Sequence, residues 1–127
     1  MYFTNDYIMR MIEIAIHGLA NLVFQKDRDL VTVDDEEVAR VSGGVLSHLI
    51  RYMVDRGDIN GAENLLFEEL ERNPLDTHLN TAIDFYREIS ALNDDELLSR
   101  GFTREEVLTG LIDVGTLYGM DLTKYLY

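Results

Sequence analysis

Between Tyr7 and Phe24 the chain is apolar at almost every position, and the exceptions are Arg10, Glu13, His17, Gly18 and Asn21. Glu13 and His17 stand four apart, one helical turn, so they could share a proton or help bind a metal or small molecule, with Arg10 beside them. The competing reading is a narrow solvated strip of ordinary helix pairs, Arg10–Glu13 and Glu13–His17, each worth about 0.2–0.5 kcal/mol. His48 lies beside Val45 and Leu49, where a partly buried, hydrogen-bonded structural histidine is expected. Ser47 is adjacent to it, but neighbouring side chains diverge on a helix and no nucleophile elbow surrounds the pair.

Other chemistry fails on spacing. Asp55-Arg56-Gly57-Asp58-Ile59-Asn60-Gly61 approaches a calcium loop, but aligning Gly61 with the loop glycine puts Arg56 at the first ligand position and Phe67 at the twelfth, where a bidentate Glu belongs. An interhelical turn is expected there instead. Glu-x-x-His pairs for a di-iron bundle and His-Glu-x-x-His for zinc are missing, and His17, His48 and His78 are isolated in sequence. Ser42-Gly43-Gly44 has no following Lys to make a phosphate loop. The acidic groups at 34–37, 68–71, 94–96 and 105–106 read as helix caps and solvated faces. No catalytic residue, metal or cofactor is expected.

The elements that carry these residues are helical. Period-2 alternation is missing apart from local strand character in Leu30-Val31-Thr32-Val33. The pattern predicts about five helices in one all-α domain spanning 1–127, an antiparallel bundle or array. The first runs from Asn5 to Gln25, followed by the charged linker Lys26-Asp27-Arg28-Asp29. The second runs from a capping box at Asp34-Asp35-Glu36-Glu37 to Arg56, burying Val38, Val41, Val45, Leu49 and Met53. Ser42-Gly43-Gly44 is its weak point, a possible kink or a close approach of another backbone. The third carries Ile59, Ala62, Leu66 and Leu70 and closes at Asn73-Pro74. The fourth, Asp76 to Leu92, buries Leu79, Ala82, Ile83, Tyr86 and Ile89. Asn93-Asp94-Asp95 opens a short turn of helix. A second capping box, Thr103-Arg104-Glu105-Glu106, launches the fifth helix, with stripe Val107, Leu111, Val114 and Tyr118 and a stop at Gly119.

At about 100° per residue, Arg10, Glu13, His17 and Asn21 fall within roughly 80°, a narrower polar face than a surface helix usually has. The first helix should therefore be covered on most sides, at the bundle centre or by another subunit. This predicts a homodimer with Ile8, Met11, Ile12, Ile16, Leu19 and Val23 as contact residues. Gly115 and Gly119, four apart, offer a second seam for close helix approach.

Composition narrows the function classes. The chain has 127 residues, 46% hydrophobic, with 11 basic residues against 24 acidic and a net charge of -13. The first 26 residues balance Asp6 and Glu13 against Arg10 and Lys26, so all the excess negative charge comes after the first helix. Only Lys26 and Lys124 are lysines and no basic cluster exists, so no nucleic acid or anionic membrane is expected as a partner. No Cys is present, which excludes disulfides and thiolate metal sites and fits a cytoplasmic protein. No run approaches the roughly 18 apolar residues of a membrane span. The acids are interspersed with Arg40, Arg51, Arg56, Arg72, Arg87 and Arg104, which argues against nucleic-acid mimicry.

Gly57 to Pro74 resembles the second helix of a tetratricopeptide repeat, with its small residue at Ala62, its large apolar residue at Leu66 and its closing proline at Pro74. The first-helix apolar positions then fall on Leu46, Leu49 and Met53. Ile50 and Glu69 depart from the pattern, and a further 34-residue frame puts Asn80 and Arg87 on apolar positions. A single degenerate copy implies a helical hairpin in the middle of the chain, not a peptide groove. Across the whole chain the sequence resembles small bacterial proteins grouped as a family of unknown function, on Asp6-Tyr7-Ile8-Met9-Arg10-Met11-Ile12-Glu13 and Leu97-Leu98-Ser99-Arg100-Gly101-Phe102-Thr103-Arg104-Glu105-Glu106. That resemblance implies no activity. The expectation is a non-enzymatic, self-associating helical interaction module with a possible unidentified protein partner; the alternative is a ligand- or metal-binding protein using Arg10, Glu13 and His17, with His48 or Tyr52 as further candidates.

Overall fold

A computed structural model describes residues 5–26 and 33–126. Among them are seven helices and no strand: α1 (Asn5–Lys26), α2 (Val33–Asp55), α3 (Ile59–Arg72), α4 (Asp76–Ser90), α5 (Asp94–Ser99), α6 (Arg104–Leu117) and α7 (Thr123–Leu126). The linker 27–32, with most of the stretch given strand character, lies outside the described residues, as do the side chains of the acidic turn 34–37.

The boundaries follow from local chemistry. Gly57 takes φ +82°, reversing the chain, and Asp58 caps α3 by accepting the Gly61 amide at 2.9 Å. The calcium-like stretch is therefore an interhelical turn. Pro74 lacks an amide hydrogen and disfavours helix at Asn73, so α3 stops there. Asn93 and Glu96 form a reciprocal capping box on α5, while Thr103 accepts the Glu106 amide at 3.2 Å to start α6. Gly119, at φ +79°, ends the α6 turn.

Helix α4 is the middle of the fold. It packs against α1, α2, α3 and α6, and buries His78, Leu79, Thr81, Ala82, Ile83, Phe85, Tyr86 and Ile89. Its buried polar groups are paired locally: His78 Nδ1 lies 2.9 Å from the Asn73 carbonyl and the Thr81 hydroxyl donates to Thr77 O at 3.1 Å. Helix α1, expected to be covered on most sides, lies across α4, α6 and α7. Tyr7 and Ile14 are exposed beside Arg10, Glu13, His17 and Asn21, which widens its open face to roughly 120°.

Helix α2 corrects a second expectation. Leu46, Ile50 and Val54 face α3 and α4, whereas Val45 and Leu49 are exposed and Met53 is half-buried. Its apolar residues occupy two faces, and α3 and α4 take the one centred on Ile50. Val38 and Val41 lie outside the residues whose side chains are described. The helix runs unbroken through 42–44, and a Cβ at Gly44 would meet nothing within 4 Å among the described residues. Gly115 is likewise used within the chain: a Cβ there would sit 2.9 Å from Met120 O and 3.0 Å from Leu122, and Gly18 on α1 admits the same leucine at 2.9 Å.

Arg104 joins three elements at one end of α4. It is buried, its Nε donates to Asp94 Oδ1 at 2.9 Å, its Nη1 to Ser90 O at 3.1 Å and its Nη2 to Leu92 O. The carbonyls at the end of α4 thereby gain a charged donor where the helix dipole is negative. Removing the guanidinium orphans these groups, so Arg104→Ala should lower stability by about 2–3 kcal/mol in urea unfolding, with Arg104→Lys losing less.

Candidate functional site

Two recesses and one buried pair bring polar or reactive side chains together. The first lies between α2, α3 and the start of α4. On α2, Val45, Leu49 and Tyr52 are 59%, 45% and 56% exposed, and their i, i+4, i+7 spacing puts them on one line. A recess of about 360 Å³ opens beside Val45 and Leu49, with Leu46 and Leu65 among its apolar walls and Glu69 and His78 among its polar ones. Glu69 is already paired with Arg72 at 3.1 Å. At the far end of the line, Arg56 lies over the Tyr52 ring, 5.4 Å from its centroid, and donates to its hydroxyl at 3.2 Å. The other exposed large apolar residues of α5, α6 and α7, Leu98, Leu117 and Tyr125, sit singly on separate elements. His48, expected to be partly buried, is exposed.

The second recess, about 300 Å³ between α1 and α4, is lined by Glu13, His17, Arg87 and Ser90 along with apolar groups. Glu13 and His17 thus share one recess; Arg10 is exposed and does not line it, and His48 and Tyr52 lie on α2. Ser90 Oγ is buried with no hydrogen-bond partner among the described residues. These residues form no group of three His, Cys, Asp or Glu able to hold a metal ion.

The six α1 residues expected to contact a second copy are placed differently. Ile8, Met11, Ile12, Ile16, Leu19 and Val23 are all buried in the chain's own core, against the helices that cover α1. They are unavailable to a partner while the monomer is folded, which corrects that assignment.

The third cluster was not foreseen. Tyr86, fully buried on α4, donates its hydroxyl to Glu63 Oε2 on α3 at 2.6 Å. Gly110 on α6 makes the room: a Cβ there would lie 2.6 Å from Tyr86 Cζ and 2.7 Å from Glu63 Oε2. Burial pushes the Glu63 carboxyl up from its ordinary value, the Tyr86 hydrogen bond opposes this, and Glu106 and Asp113 raise it further. Burial and the Glu63 charge push the Tyr86 hydroxyl up as well, so it remains a donor. With the Tyr86 hydroxyl given to one Glu63 oxygen in the space that Gly110 leaves, the arrangement reads as a structural lock between three helices. Its partners are 23 residues apart, and only the glycine in an otherwise apolar helix face hints at it.

Among the described residues, no helix is long and apolar enough to cross a membrane. Residues 2–119 match the model of DUF6483, a family of unknown function. No curated protein and no solved structure matches the chain.

The Glu63 shift has a definite sign in solution. A carboxyl with a raised folded-state pKa binds more protons in the native than in the unfolded state, so its contribution to stability falls as pH rises from about 4.5 to the raised value. Glu63→Gln keeps an acceptor for Tyr86 and removes that loss. Its urea midpoint should gain on the wild type through this window and then hold a constant lead to pH 7.

Proposed function

The chain belongs to the DUF6483 family, to which no activity is attached, and from its own geometry we propose that it is a non-enzymatic helical protein–protein interaction module of the cytoplasm. The observation that carries this reading is the line Val45, Leu49 and Tyr52 on α2, with the apolar-walled recess beside it. A helix whose inner face already serves the core has no folding reason to carry a second apolar face into water, where burial would recover about 25 cal/mol per Å². A groove between two helices with such a rim suits an amphipathic helix laid along it. The contact face is thus on α2 and not on α1.

A second reading rests on the unpartnered Ser90 hydroxyl in the recess between α1 and α4. Glu13, His17 and Arg87 line that recess too, so a small polar molecule bearing both charges would find complementary groups. Such a ligand should raise the melting temperature of the wild type and leave that of His17→Ala unchanged, because binding to the native state adds to its stability.

The interaction reading is tested by comparing two baits. Leu49→Asp changes an exposed position, so its helical circular dichroism and melting should stay close to the wild type, within about 1 kcal/mol. Used for capture from the native cell, the wild type should retain at least one protein, its own chain included, that Leu49→Asp loses. Identical captures by the two baits would defeat the reading.

A further inference from the structure

Resting on the reading of α2 as the contact face, we infer that its occupant is the α2 helix of a second copy of this chain, laid antiparallel across a two-fold axis close to Val45. The first argument is the arrangement of apolar residues. The sequence has valine at 38 and 41, and the register of α2 carries the line of Val45, Leu49 and Tyr52 back through those positions. All five fall within a sector of roughly 80° at 100° per residue. They are also symmetrically spaced: 38 and 52 each lie seven residues from 45, and 41 and 49 each lie four from it. A helix reversed upon itself about Val45 therefore matches apolar positions with apolar positions along its length, as an isologous two-fold contact demands.

The second argument is charge. Asp34, Asp35, Glu36 and Glu37 stand at the N-terminal end of α2, Arg51 and Asp55 lie toward its C-terminal end and Arg56 just beyond it, with positions 34 and 56 each eleven residues from 45. In a chain of net charge -13, parallel pairing would set the acidic turn of one copy against that of the other. Antiparallel pairing sets Asp34 against Arg56 and opposes the two helix dipoles. Arg56 is free for that role: it stacks on Tyr52 and has no carboxylate partner among the described residues. Near the axis, the recess beside Val45 and Leu49 gives the second copy's apolar side chains somewhere to enter. A different helical partner would need the same apolar spacing and the same reversed charge, which this chain already contains.

Because the chain has no cysteine, single substitutions report the geometry directly. Sedimentation of the wild type over a concentration range should approach twice the 14.6 kDa chain mass, and Leu49→Asp should remain at the monomer mass with the same helical circular dichroism. Under mild oxidation Val45→Cys should form a disulfide-linked dimer, since residues facing each other at the axis can meet the few-ångström separation a disulfide needs. Tyr52→Cys should not, because its two copies would stand about 21 Å apart along the helices, from a rise of 1.5 Å per residue. Crosslinking of Tyr52→Cys at the rate of Val45→Cys would mean parallel pairing and overturn the inference. A wild type that stays monomeric at high micromolar concentration would overturn it too. In that case a partner lost by the Leu49→Asp bait would leave the interaction reading standing with a different occupant, whereas identical captures would remove both.

Discussion

Helix α4 is packed against α1, α2, α3 and α6, with a narrow exposed strip at Asn80, Asp84 and Arg87, so a polar group on any other side needs a partner within the fold. Apart from the Ser90 hydroxyl, its buried polar groups are met by something close. His78 and Thr81 turn back to carbonyls within five residues, Tyr86 finds a carboxylate on α3, and the C-terminal carbonyls receive the Arg104 guanidinium from α6. Burying amides and hydroxyls without such partners costs about 1–3 kcal/mol each. The surrounding helices are placed as much by these pairings as by apolar area. Glu63, Arg104 and Gly110 have to stand where α4 needs them, and α3 and α6 take their positions with them.

Helix limits were largely legible in the sequence because they depend on neighbouring residues. Asp58, Asn93 and Thr103 each cap the helix that begins after them, and Pro74 and Gly119 stop the helices before them. Which helix sits at the centre was not legible. Helix α1 has the more continuous apolar run, and composition favoured it, but α4 hides polar residues by hydrogen bonds that no apolar count registers. The face of α2 was misassigned for a related reason. Leu46-Ile50-Val54 and Val45-Leu49-Tyr52 are both helical stripes, separated by roughly 100° or more, and periodicity has no term that chooses between them. The choice was made by α3 and α4.

The candidate sites show the same division. Glu13 and His17 do share a recess, as their four-residue spacing on one helix required. Arg87 and Ser90 complete that recess from α4, and no local pattern joins them to α1. Glu63 and Tyr86 sit on different helices and meet only because Gly110 on a third leaves a gap the width of a methyl group. A glycine in a helix costs about 1 kcal/mol relative to alanine, and that cost is the one trace of the lock in the sequence. The acidic residues nearby are not inert either, since Glu106 and Asp113 add to the rise in the Glu63 pKa.

Two apolar faces on one helix pose a question that packing inside the chain answers only halfway. The inner face of α2 is consumed by α3 and α4, and the outer face remains in water with Val45, Leu49 and Tyr52 on it. In a protein with 24 acidic residues, charged positions were plentiful and the outer face could have held them. Instead four of the five acids of this helix are gathered at its start, and Val45, Leu49 and Tyr52 occupy the outer face beyond them. On the reading proposed above, a partner helix offers an apolar centre and charges opposite to Asp34 and Arg56 toward its ends. Reversal of α2 about Val45 produces that pattern without a second sequence, whereas α1 has already committed its apolar residues to the core. The property that made α1 conspicuous in the sequence, its continuous apolarity, is what a helix needs to be buried; the property that makes α2 conspicuous in the structure, an apolar stripe left outside, is what a helix needs to bind.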